Sequence, residues 1–569
     1  MALFDFAKVP FSRHQRFTTL SMIRSANDSE KQCFLRFVAG GDERPRFGNL
    51  CRLEFFDAEG IALDPQFSVS PGALDVTLMR GEIQIGKAAF AIGEGEVLYL
   101  KAEYVEVRFC LEGSRYDYAF KAHDGRDCVV AAGENLKLTP EAFEGAVRVD
   151  GQWRTDHAQN VAICFSGEKL EGRIILHRRL CPDMPANSFE KTRASAKREF
   201  ARWCGAEQMA EAAKLASYLL WANTVPAGGQ LSAPAIYMSK NRMINIWSWD
   251  NAFSAIGVAK RHPQLAFDQF AVIFDQQDDS GLLPDYVHDQ GASFAFTKPP
   301  VHGWAIEHIM GGNPEAFNED QLDYLREKLE RQLSYWLTNT RADNTQLPSY
   351  AHGNDSGWDN ASFFAQGGPV EGPDLPTFLA LTARTISKMH QQNGNDAAAK
   401  NFRSIEDQLI GLLVEKLWNG ETFTARKQAD PHTPLPGDSL IQYMPLLLGE
   451  KLPKEIANAL LAKLESSGIL TNWGPATENP SSAFYTPDGY WRGPIWAPTT
   501  MLLFDGLMAQ NATRLAYKVA NRFTHLCETS GMAENFDAID GAGLRDPAFA
   551  WTSAVYLRLR EILANQNGS

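Results

Sequence analysis

The chain has no apolar run of about 18 residues, so nothing in it reads as a membrane-spanning segment. A secretory leader is also missing. The opening stretch MALFDFAKVPFSRHQRF carries charges where an apolar core would stand, and a cytoplasmic protein is expected. The eight cysteines (Cys33, Cys51, Cys110, Cys128, Cys164, Cys181, Cys204 and Cys527) form no CxxC pair and show no metal-ligand spacing. Reduced, mostly buried thiols are therefore expected, not a disulfide framework. No HExxH and no His pair at ligand spacing occurs, and among the histidines only His302 and His352 fall in motif-bearing segments. Phosphate loops and the GxSxG elbow are absent, and Asp278-Asp279 lacks the rest of a calcium loop. Neither a metal nor a cofactor is expected. Basic residues are in deficit, with 55 Lys+Arg against 69 Asp+Glu, a net charge of −14 and a pI of about 5.4. That balance disfavours nucleic acid and anionic membranes as partners and suits a neutral small molecule.

What is plentiful is aromatic surface: 13 Trp, 15 Tyr and 34 Phe in 569 residues. The length calls for more than one core, and 44% hydrophobic with 22% charged residues is a globular composition. Several tryptophans stand beside Gly, Pro and Asp instead of in apolar helical stripes. Flat rings next to polar groups suit sugars, although core packing is the ordinary alternative for any single Trp.

Periodicity divides the chain. Up to residue 185, stretches such as Gly95–Leu111, Val161–Gly167 and Gly172–Arg179 alternate apolar and polar residues between Gly, Asp and Pro punctuation. The expectation is an N-terminal antiparallel β-sandwich over 1–185, with nothing catalytic in it. A charged, helix-favouring stretch follows, with Ser188–Trp203 at its centre, and reads as a linker helix over 186–206. From 207 to 569 the period is helical. Leu322, Leu325, Leu329, Leu333 and Trp336 recur at spacings of three and four, as do Leu515, Val519 and Leu526, with Asn511-Ala-Thr as a start signal. Roughly twelve helices fit this span, as a bundle, a solenoid or a toroid of hairpins; the lack of a fixed-period repeat counts against the solenoid.

Loop-rich segments in this part join rings to carboxylates near the starts of predicted helices: Ile246–Phe253, Gln276–Val287, Thr297–Ala305, Gly353–Phe364, Gly489–Pro498 and Met532–Ser553. Rings stack on sugar faces, Asp and Arg bind hydroxyls, and a carboxyl pair can protonate a leaving oxygen while activating water.

The motifs W-x-W-D (Trp247–Asp250), G-L-L-P-D (Gly281–Asp285), K-P-P (Lys298–Pro300), S-G-W-D-N (Ser356–Asn360), W-R-G-P-x-W (Trp491–Trp496) and E-x-F-D (Glu534–Asp537) stand in this order. Together they resemble glycoside hydrolase family 63, the processing α-glucosidase family, and its relative the trehalase family, over roughly residues 205–565. The resemblance implies an all-α (α/α)6 barrel after the β-sandwich, and hydrolysis with inversion. By matching, Asp359 is the general acid and Glu534 the general base. Asp250 holds hydroxyls of the −1 sugar, and Trp249, Trp358, Trp491 and Trp496 wall the pocket. Lys298 and Arg492 reach hydroxyls or orient the carboxylates. The trehalase pattern has Gln where Lys298 stands before Pro-Pro, and a different segment in place of WRGPIWAP, so family 63 is the better match.

Each residue also has an ordinary reading. Asp359 can be an Asx-turn or helix cap, Asp250 a cap for the helix that follows, and Glu534 a solvated loop residue. Arg492 can be an ion-pair partner, Lys298 a solvated residue before a Pro-Pro turn, and Asp285 a structural turn residue. The expected activity is that of an exo-acting inverting α-glycosidase, first an α-glucosidase on a small glucoside or disaccharide. The alternatives are an α-mannoside-type hydrolase acting on mannosylglycerate or glucosylglycerate, a phosphorylase on the same toroid, and a non-catalytic sugar-binding relative. Asp359 is expected to be protonated beside Trp358 and Glu534 to be ionised.

Overall fold

The computed structural model describes residues 4–24, 30–43, 48–205, 209–341 and 343–567. The sequence boundary between linker helix and helical domain, at 206–207, lies outside them. Contacts divide the chain into two compact units, one of residues 1–226 with 239–244 and one of residues 227–238 with 245–569.

The first unit is β-rich and antiparallel. Its strands are β1 (Phe11–Ser12), β2 (Thr18–Arg24), β3 (Lys31–Phe37), β4 (Asn49–Phe56), β5 (Asp64–Ser70), β6 (Ala73–Arg80) and β7 (Ile83–Ile92). They continue as β8 (Val97–Glu103), β9 (Glu106–Leu111), β10 (Tyr118–Lys121), β11 (Asp127–Ala131), β12 (Leu136–Asp150) and β13 (Ala162–His177). Side chains alternate in burial along β4 and β9, as the period-two pattern requires. The expected sandwich of two sheets is realised differently. All the strands belong to one hydrogen-bonded sheet with the path β1-β2-β3-β4-β9-β13-β8-β7-β6-β5, and β10–β12 branch from β13. The long β13 makes the join: Ala162–Phe165 pair with β9, whereas Lys169–Ile175 pair with β8. Between them Gly167 (φ 153°) faces Gly145 (φ 82°) of β12, and a side chain on either would strike backbone oxygens at 2.8 Å. These glycines let both strands bend where the register shifts. The sheet then folds onto itself. Phe55 of β4 and Phe90 of β7 are four strand steps apart, roughly 19 Å in a flat sheet at about 4.8 Å per step. Their ring centroids lie 6.4 Å apart. Phe109 and Phe165 extend the same core. A bridge between Phe4 and Val69 brings the leading segment to the far edge strand β5, so the sheet is nearly closed.

Helices α1 (Phe189–Cys204) and α2 (Glu211–Asn223) complete this unit. Ser188 caps α1 by accepting from the Lys191 amide. The helix buries Phe189, Thr192, Ala196 and Phe200, with Phe189 entering a core cluster of Ala91, Tyr99 and Ile175.

The second unit is helical: α3 (Asp250–Val258), α4 (Pro263–Phe274), α5 (His302–Gly312), α6 (Glu319–Asn339), α7 (Asp374–Gln392), α8 (Asp396–Leu417), 3-10 turns over Leu440–Lys451, α9 (Lys454–Ser466), α10 (Ala497–Ala509), α11 (Thr513–Ser530) and α12 (Ala550–Asn567). Among the described residues α3, α5, α7, the 440–451 turns, α10 and α12 each pack on the next, and α12 packs back on α3. Those elements are buried on most sides, and α7 and α10 carry few exposed positions. The helices behind them are one-faced. In α6 the buried positions include Leu325, Leu329, Leu333 and Trp336, and a capping box between Asn318 and Gln321 sets its start. In α11 they include Leu515, Val519 and Leu526. No helix among the described residues is long and apolar enough to cross a membrane.

Candidate active site

Apart from G-L-L-P-D, which leads into the short strand Tyr286–His288, the motifs singled out in the sequence lie in the segments leading into the packed helices or at their starts. Trp249 and Asp250 open α3, Lys298 precedes α5, Trp358 and Asp359 precede α7, Trp491, Arg492 and Trp496 precede α10, and Glu534 precedes α12. Backbone clamps hold these loops. The Ser248 amide donates to the Asp285 carbonyl at 2.9 Å, and the Ser248 carbonyl accepts from His302 Nε2 at 2.8 Å. Burial pushes the His302 imidazole down to about 4. It stays neutral, with Gln332 Nε2 donating to its Nδ1 at 3.0 Å. His302 is thus a backbone pin, and it fixes the segment that presents Trp249 and Asp250.

Lys298 is buried, not solvated. Its ammonium donates to the Asn354 carbonyl at 2.9 Å and pairs with Asp285 Oδ1 at 3.0 Å. Asp285 therefore does more than turn the chain. The loop of Asp359 is tied to the WRGP segment through one amide side chain: Asn360 Nδ2 donates to the Gly489 carbonyl at 3.0 Å and its Oδ1 accepts from the Trp491 amide at 2.9 Å. Glu534 is held by its backbone. Its amide donates to the Asp546 carbonyl at 2.7 Å, its carbonyl accepts from Trp551 Nε1 at 3.3 Å, and a short hairpin pairs Asn535–Phe536 with Gly543–Leu544.

The four predicted tryptophans meet in one wall. Trp491 and Trp496 stack at 4.1 Å with planes 6° apart, Trp358 lies 5.4 Å from Trp491, and Trp249 lies 5.8 Å from it. Trp551, which the sequence reading did not single out, closes the group at 5.9 Å from Trp249 and 5.4 Å from Trp496. Gly357 (φ +71°) sits directly on the Trp249 ring, where any Cβ would stand 2.6 Å from ring carbon. The indole N–H groups of Trp358 and Trp491 and the Nε of Arg492 are buried with no hydrogen-bond partner among the described residues. Arg492 makes no ion pair among them either, so the structural ion-pair alternative does not describe it. Buried donors without partners are costly, and they are found where a ligand supplies the acceptor.

The carboxylates share this wall. Burial pushes Asp359 up to about 6, opposed by the Lys298 ammonium and by a hydrogen bond from Tyr490, and aided by Asp285. Burial also pushes Glu534 up to about 8, helped by the Asp546 and Asp359 carboxylates and opposed by the Arg545 guanidinium. Asp250 is raised by burial and by Asp359, with Lys298 opposing. Asp359 thus acts electrostatically on both Asp250 and Glu534, which brings the three predicted carboxylates together. Glu534 too is raised, where the sequence reading has it ionised; burial and the neighbouring Asp546 carboxylate are the reason.

Two further residues emerge from the geometry. Burial and three carboxylates, Asp359 first, push the Tyr490 phenol well above its ordinary value, so it remains a donor. Arg545 lies over its ring at 4.9 Å and pairs with Asp488 Oδ1 at 2.8 Å. Both have left-handed backbones, φ +64° at Tyr490 and +63° at Arg545. Such strain in non-glycine residues marks sites held by their surroundings. The only sequence signal for Tyr490 is its place before WRGP, and Arg545 has none.

A family model described as the mannosylglycerate hydrolase MGH1-like glycoside hydrolase domain matches residues 243–552, more than half of the chain. The chain belongs to that glycoside hydrolase family. Every site residue from Trp249 to Glu534 lies within the match. Among curated relatives, a mannosylglycerate hydrolase of Rubrobacter radiotolerans is 23% identical over 401 residues, covering 55% of this chain and 89% of the relative. A glucosylglycerate hydrolase of Mycolicibacterium hassiacum is 23% identical over 440 residues, 60% of this chain and 96% of the relative. In structure, the hydrolase resembles a GH63 mannosylglycerate hydrolase of Thermus thermophilus solved with Tris and D-glycerate, with a TM-score of 0.54 and 19% identity over 61% of this chain and all of that one. It also resembles a bacterial glucoamylase solved with acarbose, at a TM-score of 0.64 and 10% identity over 98% of this chain and 94% of that one. The family 63 resemblance read from the motifs is borne out, and the chain is a glycoside hydrolase.

Proposed function

We propose that this glycoside hydrolase acts in the cytoplasm on small α-glycosides of the mannosylglycerate and glucosylglycerate type, with inversion. Asp359 serves as general acid and Glu534 as general base, and the ring of inner helices is read as an (α/α)6 barrel. One observation carries the reading: two buried carboxylates, Glu534 in the field of Asp359, stand by a single tryptophan wall with N–H donors that lack partners among the described residues. The activities named for its relatives support the glycerate-glycoside alternative over the α-glucosidase that the sequence put first. Eight cysteines with no disulfide-framework or metal-ligand spacing suit a reducing compartment.

In this mechanism the sugar stacks on the tryptophan wall. Trp358 Nε1, Trp491 Nε1 and Arg492 Nε donate to its hydroxyls, and Asp250 accepts from others. Asp359, its carboxyl raised to about 6 by burial and oriented by Tyr490, gives its proton to the glycosidic oxygen. Glu534 takes a proton from water on the opposite face, which calls for roughly 6.5–9.5 Å between the carboxyl groups. Because burial raises both carboxyls, a second reading has Glu534 as the donor and Asp359 as the base.

Incubation with mannosylglycerate, glucosylglycerate, maltose and trehalose, with the first-formed anomer followed by NMR, tests the proposal. Glycerate glycosides are expected to turn over fastest and to release the β-anomer first. An α-anomer would overturn inversion, fastest turnover of maltose would restore the α-glucosidase reading, and dependence on phosphate would replace hydrolysis by phosphorolysis. Glycosyl fluorides separate the two proton readings, because fluoride leaves without protonation. Asp359→Asn should retain fluoride hydrolysis and Glu534→Gln should lose it; the opposite pattern assigns the reverse roles.

A further inference from the structure

A second cavity of about 560 Å³ opens in the helical unit, and none of the carboxylates or tryptophans of the candidate active site lines it. Its walls come from the loop before α5, the end of α6 and the loop before α7. Phe294, Phe296 and Tyr335 give it aromatic faces, and Arg341, His352 and Gln428 are among its polar lining. Phe294 is 43% exposed, which is costly for a ring unless something stacks on it. Phe296 is backed by the His352 ring at 5.0 Å.

Arg341 is the unusual member. Its Nε donates to the Leu337 carbonyl at 2.9 Å, but its buried Nη1 has no hydrogen-bond partner and it makes no ion pair among the described residues. Two other arginines of this unit are matched, Arg384 Nε reaching Glu406 at 2.8 Å and Arg426 Nε reaching Glu371 at 2.7 Å. The nearby Asp343 carboxylate acts on Arg341 electrostatically but forms no ion pair with it among the described residues, and its Oδ1 is taken by the Thr345 amide and hydroxyl at 2.8 and 2.5 Å. The acid lining the cavity, Asp355, is also engaged, Oδ1 by the Thr297 amide at 3.1 Å and Oδ2 by the His352 amide at 2.9 Å. The cavity is therefore lined by a partly buried arginine that makes no ion pair among the described residues, beside aromatic faces. A guanidinium fork matches a carboxylate, and the rings match the C–H faces of a hydroxylated body. The volume falls within the range of small-molecule sites.

We propose that this cavity is a second, non-catalytic binding site for a small polyhydroxylated carboxylate, a sugar acid or a hydroxy acid, with Arg341 taking the carboxylate. It shares walls with the mount of Lys298. Thr297 precedes that lysine, and Asn354, whose carbonyl holds the ammonium, precedes Asp355. Occupancy would brace the loop pair that positions Lys298. The proposal does not rest on the catalytic assignment, since it is read from binding.

The test is calorimetric titration of D-glucuronate, D-glycerate and D-glucose into the full chain carrying Asp250→Asn, which removes a ligand of the catalytic pocket. In that background at least one of the two acids should bind, and glucose about tenfold more weakly or not at all, as loss of a charge-assisted pair implies. Adding Arg341→Met should weaken the acid about tenfold or more at an unchanged melting temperature. Phe294→Ala, at an exposed ring, should weaken it severalfold and guards against misfolding of the arginine variant. Binding of glycerate identifies the small acid released by hydrolysis as the source, and binding of glucuronate alone an intact carboxylated sugar. No binding by either acid, or binding indifferent to both substitutions, overturns the proposal.

Discussion

Buried charge is handled in opposite ways in the β-rich unit and in the candidate active site of the helical unit. In the β-rich unit it is matched. Arg173 Nε reaches Glu141 at 2.7 Å and its other donors take the Met184 and Pro185 carbonyls at 3.0 Å. Arg13 pairs with Glu199 at 2.7 Å, and Arg36, fully buried, donates to Asn49, Ser21 and the Lys240 carbonyl. In the helical unit's pocket, Asp359, Glu534 and Asp250 are raised by burial, while Trp358, Trp491 and Arg492 keep donors without partners. Matched burial rigidifies a scaffold. Unmatched burial costs stability and leaves groups poised to act on something else.

The largest expected effect lies in the unmatched set. Asp359→Asn and Glu534→Gln should each lower kcat on the natural glycoside by about 10²–10⁴-fold, the usual contribution of acid–base groups, with the circular dichroism spectrum intact. Near-native turnover in either would break the comparison. The matched set should respond in the other currency. Glu141→Ala leaves Arg173 underpaired, should cost on the order of 1–3 kcal/mol in thermal or denaturant unfolding, and should leave kcat unchanged.

A smaller effect concerns stability in the pocket itself. The folded-state values of Asp359 (about 6) and Glu534 (about 8) lie above their ordinary ones, so unfolding releases these protons more readily than the native state does. Their contribution is fully present below about pH 4 and is lost as pH rises, through about 6 for Asp359 and about 8 for Glu534. Glu534→Gln should therefore raise the melting temperature at pH 8, by an amount that vanishes near pH 4. An equal melting temperature at both pH values would show that the carboxylate is not strained. Least of all, Arg545→Met removes a cation that holds Glu534 down, and should move the corresponding limb of the pH–rate profile upward by less than about one unit. A downward movement would place Arg545 outside the pocket's field.

Much of this was legible in the sequence where neighbours in the chain act together. The stripe of α6 and α11 followed from spacing, and each motif carried its own scaffold of Gly, Pro and ring. Residues whose role depends on a distant segment were not legible. Tyr490 matters because Asn360 draws its loop to Asp359; Arg545 and Asp546 matter because a two-residue hairpin folds them back beside Glu534. Trp551 lay within the Met532–Ser553 segment with no mark of its own, and its place in the wall follows from α12 closing on α3. In the β-rich unit the alternation identified inward faces but not partners, so one folded sheet read as two.

By itself, the sequence determined which residue types are clustered, where the period changes from two to helical, and which family the motifs resemble, because these depend on residues within a few positions of one another. Only the tertiary structure decided which carboxylates share a field, which donors remain unmatched among the described residues, and that burial raises Glu534 as well as Asp359. Those properties arise from burial and from groups brought together across long stretches of chain, and no local pattern records them.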